Sequence, residues 1–597
     1  MATFKEKFNK FTQSIPYFDV PVGYGKLRYG FIPVLREVED LPEDLEEIEK
    51  LEKETQAAKD AVYNTVEYRD EADRPWWKFF DEYEYRINKN VRKSHKWFKW
   101  FNDSDSPAER VLITKLDILL TLYSTAAYWV KNLDSSNLNN AYVSGMKEDL
   151  GFKGNDLVHV QAVFTASGVV FQLPFLYFLY KLPMNFVLPG LDLGWSLFTL
   201  AIYRVESLGE LKVLRFFVGL FESPAYLAYQ FLFGCFFKYD EIVRRSMIYY
   251  IGQYLGVVTS GLLQGRIYQS LNGHNGLQGW RWFFIIDSVI SVFIGIIGFY
   301  VLPGSPERCY SLWLSDDEIR LARKRLRQNN TGTSKDVSKR FFDKSLWKTV
   351  FTSWKTYLLT IWNILVWCNN NGTNGAYVLW LKSLKRYSIP KVNQLSAISP
   401  AVGILWLILC GLYADLMHSR YQAVVISQVF NFIGNVILAV WDVPEGAKWF
   451  AFMLSYSGWC MAPVNYSWAN DILRHDVQVR AITMVIMNII AQAMAAWISV
   501  LVWKTSEAPR FHKGFSWTAS AAASVGVFAV IVLWFYKREE KLHARQNGIV
   551  LYNSKTGENY PLDKEDDPAS ASSESVEKKD SQAAVDVAKP VESSDAE

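Results

Sequence analysis

The sequence predicts an all-α membrane protein: twelve transmembrane helices in two pseudo-symmetric six-helix halves. Three observations carry this. Half of the 597 residues are apolar and 16% are aromatic, yet mean hydropathy is near zero, because charged ends are averaged with a greasy middle. The middle is built of runs of about 20 apolar residues, the length that spans a hydrocarbon layer about 30 Å thick. The runs also fall as six, then a charged stretch, then six more, the pattern of an internal duplication.

Residues 1–110 are expected to be a cytosolic N-terminal region, partly disordered. Within it, "EVEDLPEDLEEIEKLEKETQAAKDA" reads as a solvated acidic helix or a disordered stretch. "RPWWKFFDEYEYRINKNVRKSHKWFKWF" (Arg74 to Phe101) mixes Trp with Lys and Arg. That composition suits the headgroup surface, and equally a docking surface for the protein's own loops. The first six-helix half is placed at 111–302, with spans near 112–133, 157–180, 186–204, 211–237, 247–268 and 281–302. A cytosolic linker follows at 303–353. The second half, 354–536, has spans near 356–381, 397–416, 422–441, 449–469, 481–503 and 515–536. From 537 to 597 a Ser/Glu/Asp/Lys-rich cytosolic tail is expected to be disordered, having too little apolar surface to bury.

Composition excludes several classes of function. A net charge of +3 gives no electrostatic footprint for nucleic acid. The five cysteines are dispersed, with no metal-ligand or disulfide spacing, so neither a metal nor a disulfide framework is expected. No phosphate-cradling GxxxxGK[ST], GxSxG or HExxH occurs. No enzyme and no cofactor are expected, and ion gradients remain as the energy source, with protons as the coupling ion. The N-terminal "MATFKEKFNKFTQS" lacks the apolar core of a secretory signal, so the first span is expected to direct insertion. With both termini cytosolic, the long basic flanks obey the positive-inside rule, although "LKSLKRYSIPKVNQ" then becomes a basic outer loop.

In order along the chain stand "NLDSSNLNNAYVSG", "YKLPMNFVLPGLDLGWSLFT", "LRFFVGLFESPAYL", "DEIVRRSMIYYIGQYLG", "GWRWFFIID", "LPGSPE" and "GLYADLMHSRYQ". In these the sequence resembles the anion:cation symporter branch of the major facilitator superfamily, and within it the fungal allantoate-permease family, over about residues 105–540. "EYRDEADRPWWKFFDE" and "NGIVLYNSKTGE" are similar to the subgroup holding biotin and sulfoxide-ethionine permeases. The resemblance implies a plasma-membrane protein that takes up a small organic anion with protons. Biotin is foremost. Sulfur-containing amino-acid derivatives, allantoate, ureidosuccinate and pantothenate come behind, and a non-transporting nutrient sensor is a remote alternative. The expected partners are the anion, protons and the bilayer, with a monomeric chain. Two departures stand out: Ser135 occupies the place of an arginine in the first span, and "YKLPMNFVLP" lacks the usual Asp-Arg of its loop.

The site residues follow from charges set in apolar runs. Arg215 and Glu222 lie seven residues apart in "LKVLRFFVGLFESPAYLAYQFLFGCFF". Seven residues turn a helix by about 700°, so the two share a face about 10 Å apart along the axis. Charges in lipid are costly, so that face lines a watery cavity or is latched to a neighbouring helix. The resemblance implies that Arg215 binds the anion and Glu222 carries a proton. Asp134 is a second proton-site candidate. Lys131, three residues before it, meets it on one helix face and is expected to supply the charge that Ser135 lacks, unless the pair sits in water beyond the helix end. Asn488, Asn363 and Trp362 are further substrate-binding candidates, with an interhelical hydrogen bond as the alternative for Asn488. Asp415, Arg420 and Arg480 are expected to be gating contacts, and Arg244 and Arg245 to anchor a cytosolic helix end. Gly252, Gly256, Gly261 and Gly265 suggest close helix packing.

Overall fold

The computed structural model describes residues 24–39, 67–86, 100–101, 105–179, 182–237, 239–328, 343–369, 375–417, 419–474 and 477–555. Most of the acidic stretch (40–61), residues 87–99 of the aromatic-basic segment and residues 556–597 of the tail lie outside them.

The chain divides into two compact units, Met1–Lys53 with Trp97–Val532, and Glu54–Lys96 with Leu533–Glu597. In the first unit, α1 (Pro107–Asp149) runs for 43 residues with a kink at Ser144–Gly145, where Gly145 takes a φ of 112°. A capping box starts it: Ser106 Oγ accepts from Glu109 N, and Glu109 accepts from Ser106 N, with Pro107 in the first turn. The helix outruns the expected span by about four turns. Hydropathy ends a span where the side chains turn polar, but most of α1 from Leu133 to Met146 is buried or half-buried within the protein. Then come α2 (Asp156–Leu179), α3 (Met184–Ala201), α4 (Leu208–Glu222), α5 (Ala225–Phe236), α6 (Tyr239–Leu271) and α7 (Gly279–Val301).

The linker is partly folded, with a short hairpin (Gly304–Ser305 with Arg308–Cys309), α8 (Asp316–Gln328) and α9 (Lys344–Thr352). Arg325 of α8 pairs with Glu241 at 2.7 Å and Glu109 at 3.3 Å. The second half comprises α10 (Trp354–Cys368), α11 (Ala376–Ser383), α12 (Ile389–Ser396), α13 (Ile398–Leu416), α14 (Arg420–Val440), α15 (Glu445–Leu454), α16 (Ala462–Ile472), α17 (Val477–Val502) and α18 (His512–Leu542).

Taking α4–α5, α10–α11, α12–α13 and α15–α16 as broken rods gives six rods in each half. Among the described residues, seven rods are individually long and apolar enough to cross a membrane. Of the remaining five, α4–α5 breaks at Pro224, α10 ends at Cys368 and α11 begins at Ala376, α15–α16 carries a tight turn at Ser455–Gly458, and α6 opens on charges. Such breaks are tolerated where neighbouring helices re-satisfy the backbone. Within the halves α1 packs on α6, α3 on α7 and α10 on α17; between them α2 meets α17, and α6 meets α12 and α13.

The glycine pattern splits between these contacts. A Cβ on Gly256 would lie 2.5 Å from Trp129 O of α1, whereas one on Gly261 would lie 2.6 Å from Asn393 O of α12. One stripe thus closes a contact inside the first half and another across the halves. Arg245 pairs with Asp117 at 2.7 Å, and Arg244 donates to Trp100 O at 3.3 Å.

The second unit corrects the expectation of a tail without structure from residue 537. α18 continues to Leu542, and Ile549–Tyr552 pairs in parallel with Glu67–Asp70. Lys537 Nζ donates to the carbonyls of Lys78 and Phe79 at 2.6 and 3.0 Å and pairs with Glu84. Glu84 also takes two bonds from Arg74 at 2.9 and 2.8 Å. Burial works against its charge, but the donors from Arg74 and Lys537 hold the carboxyl below the usual glutamate range. Composition missed this because it averages over a tail whose first turns have partners 450 residues upstream. Trp76, Trp77 and Phe80 stand exposed on the adjoining turn.

Candidate functional site

α4 is apolar enough to span and carries its two charges on the buried face. Arg215 is 2% and Glu222 1% exposed, and both line a cavity of about 320 Å³ between the halves. Lys131, Ser135, Gln172 and Gln253 line it from the first half; Trp367, Tyr456, Tyr466 and Gln492 line it from the second. Neither charge faces acyl chains.

The pairing differs from the helical-spacing expectation. Arg215 Nη1 bonds Asp134 Oδ2 at 3.0 Å, and Thr199 Oγ1 donates to Asp134 Oδ1 at 3.3 Å. Lys131 turns away from Asp134 to Glu222, donating to its backbone carbonyl at 3.2 Å. Both Glu222 carboxyl oxygens lack hydrogen-bond partners among the described residues. Residues three apart on α1 therefore serve different partners. The neighbouring helix α4 offers each a stronger contact than they offer each other.

Two buried acids escaped the sequence reading. Asp192 of α3 accepts from Trp195 Nε1 at 3.3 Å, its other oxygen without a hydrogen-bond partner among the described residues. Asp287 of α7 accepts from Asn137 Nδ2; Asn137 Oδ1 in turn accepts from Ser260 at 3.1 Å. Each is a lone acid in an apolar run, "LPGLDLGW" and "FFIIDSVI", the same signal that marks Arg215 and Glu222. The cluster thus holds four carboxyls (Asp134, Asp192, Glu222, Asp287) and two cations (Lys131, Arg215).

In the second half Asn488 is buried, accepts from Tyr466 at 2.9 Å and donates to Gln172 Oε1 at 3.1 Å. Asn488 is not among the cavity-lining residues and makes the interhelical bond named as its alternative; Trp362 and Asn363 do not line the cavity either. Trp362 stacks edge-on against Trp468, and Asn363 Nδ2 donates to Met487 O at 3.0 Å, tying α10 to α17. An apolar run with one amide does not reveal which side of the helix the cavity is on. Arg420 pairs with Asp471 at 2.7 Å, an acid the sequence reading passed over. Arg480 is half-buried in the first turn of α17, and the side chain of Asp415 lies outside the described residues.

Two helical halves enclosing a cavity, with buried charges supplied by the first half and amide and aromatic side chains by the second, define a solute carrier of the membrane. The chain matches the Major Facilitator Superfamily over residues 125–499 and belongs to that superfamily. It is 44% identical over 501 residues to the Vitamin H transporter of Saccharomyces cerevisiae, covering 83% of this chain and 84% of the relative. The Pantothenate transporter FEN2 of the same yeast is 32% identical, covering 75% and 88%. The Pantothenate transporter liz1 of Schizosaccharomyces pombe is 29% identical, covering 73% and 84%. The solved proton:xylose symporter XylE shares the fold, with a TM-score of 0.53 at 13% identity over 71% of this chain and 96% of that one. The protein is therefore a multi-pass membrane transporter and not an enzyme.

Proposed function

We propose that the protein imports a small carboxylate, biotin foremost, together with protons across a fungal plasma membrane with both termini cytosolic. The observation that carries this reading is Glu222: a buried carboxyl with unpartnered oxygens, beside Lys131, lining a cavity that Arg215 also lines. Arg215 is already engaged by Asp134, so the competition for cation runs through Lys131 as well. Ionised Glu222 is the local anion for Lys131. Protonated, it leaves Lys131 and the remaining donors of Arg215 (Nε and Nη2 have no hydrogen-bond partner among the described residues) to hold the incoming carboxylate. Four carboxyls against two cations would leave two negative charges uncompensated if all ionised, and buried charge without a partner is expensive. Bound protons neutralise the excess, so the cluster has capacity for proton coupling, with Asp134, Asp192 and Asp287 as further carriers.

Biotin is preferred because the relative at 44% identity is named a vitamin H transporter. Pantothenate, also a small carboxylate, is the second reading because two further relatives carry that name. The test is uptake of labelled biotin, pantothenate, allantoate and sulfur compounds in a yeast lacking its own carriers, at two external pH values. Biotin uptake that rises as external pH falls supports the proposal. Uptake that ignores pH, or that favours another compound, overturns it.

A further inference from the structure

Gln172 of α2 and Gln492 of α17 line the cavity from opposite halves, and Gln172 Nε2 donates to Gln492 Oε1 at 2.8 Å. The same Gln172 amide accepts at Oε1 from Asn488 Nδ2 at 3.1 Å, so both its donor and its acceptor are met by α17. Asn488 is oriented from behind: the Tyr466 hydroxyl donates to its Oδ1 at 2.9 Å and itself accepts from Trp367 Nε1 at 3.2 Å. The second half thus holds an oriented donor, Asn488 Nδ2, one helical turn from an acceptor, Gln492 Oε1. The first half fills that pair with the N–H and C=O edge of one primary amide.

A cyclic urea offers the same edge, an N–H beside a C=O held cis by the ring. We propose that Asn488 and Gln492 form the subsite for a ring ureido group on the carried anion, and that Gln172 occupies it as an internal stand-in until ligand displaces it. This rests on the reading of the cargo as a biotin-like acid. The levels along the cavity suit such a molecule. Lys131 sits on the Glu222 carbonyl, Gly168 of α2 abuts Ser223, and Gln172 lies four residues further on, about 6 Å along α2. The cation meets the carboxylate at one level and the amide pair meets the ring at the next. Displacing Gln172 also removes a bridge between the halves, so ligand binding favours the conformation in which α2 and α17 separate.

Full-length protein in proteoliposomes with labelled biotin tests this in two arms. In the wild type, desthiobiotin, which keeps the ring urea without the thioether, should compete nearly as well as biotin. Heptanoate, a carboxylate without the ring, should not. In the second arm, Asn488→Asp keeps the acceptor for Tyr466 and removes the donor, whereas Gln492→Glu keeps its acceptor. Each adds one negative charge, so the comparison isolates hydrogen-bond sense. In a Gln172→Ala background, where no stand-in loses the same donor and offsets the effect, Asn488→Asp should raise the biotin KM at least about tenfold more than Gln492→Glu, the loss expected from an unpaired buried carbonyl. Equal KM in the two variants, or heptanoate competing as well as desthiobiotin, overturns the subsite. Failure of the cargo reading looks different: wild-type protein takes up another acid and no biotin.

Discussion

Replacing Glu222 by Gln tests the coupling directly. The substitution is nearly isosteric, and neither carboxyl oxygen has a hydrogen-bond partner to lose among the described residues. The fold should therefore survive it, and the Lys131 contact, which uses the backbone carbonyl, is untouched. What changes is the carboxyl that, among the described residues, lines the cavity wall beside the anion-holding cations and can exchange a proton. If one proton accompanies one monovalent anion, each pH unit across the membrane is worth about 1.4 kcal/mol, or tenfold accumulation. An imposed gradient of two units then supports about hundredfold accumulation in the wild type. A second proton would add about 2.3 kcal/mol per 100 mV of membrane potential. In the Gln variant the gradient-driven accumulation should fall to equilibration, while exchange of labelled for unlabelled biotin at equal pH persists. The assay is uptake into proteoliposomes with set internal and external pH, with and without a potassium–valinomycin potential. Undiminished accumulation in Glu222→Gln would refute the assignment.

Three other outcomes follow from particular contacts. Asp134→Ala should cost about 3–5 kcal/mol by stranding the buried Arg215 charge, and adding Arg215→Met should recover much of it in a thermal-shift assay in detergent; a double variant no more stable than the single would show that the pair is not the source. Gly261→Ala places a Cβ 2.6 Å from Asn393 O, so the arrangement in which α6 touches α12 should lose about 1–3 kcal/mol, read as faster thiol labelling of a cysteine introduced at Ser396. For Glu84, whose carboxyl is held below the ordinary range, the stabilising charge is complete above the unfolded-state value and is lost as pH falls through the lowered folded value. Amide exchange of Ile549–Tyr552 should therefore speed up on acidification below the ordinary glutamate range, and Glu84→Gln should show the fast exchange at neutral pH.

The sequence by itself determined the twelve-rod, two-half plan, because a bilayer imposes one length and one polarity on every span, and that signal is local. It also determined that Arg215, Glu222 and Asp134 are buried charges, because ionisable groups in apolar runs have few places to go. The same rule reaches Asp192 and Asp287 when applied without exception. Only tertiary structure decided the partners. Helical spacing puts Lys131 near Asp134, yet α4 approaches α1 closely enough that Arg215 takes Asp134 and the Glu222 carbonyl takes Lys131. Trp362 and Asn363 have the composition of a cavity wall and pack instead against Trp468 and α17. The strand Ile549–Tyr552 finds its partner at Glu67–Asp70, across nearly the whole chain. Burial is written in a window of twenty residues; which buried group meets which depends on how helices far apart in sequence dock, and no window contains that.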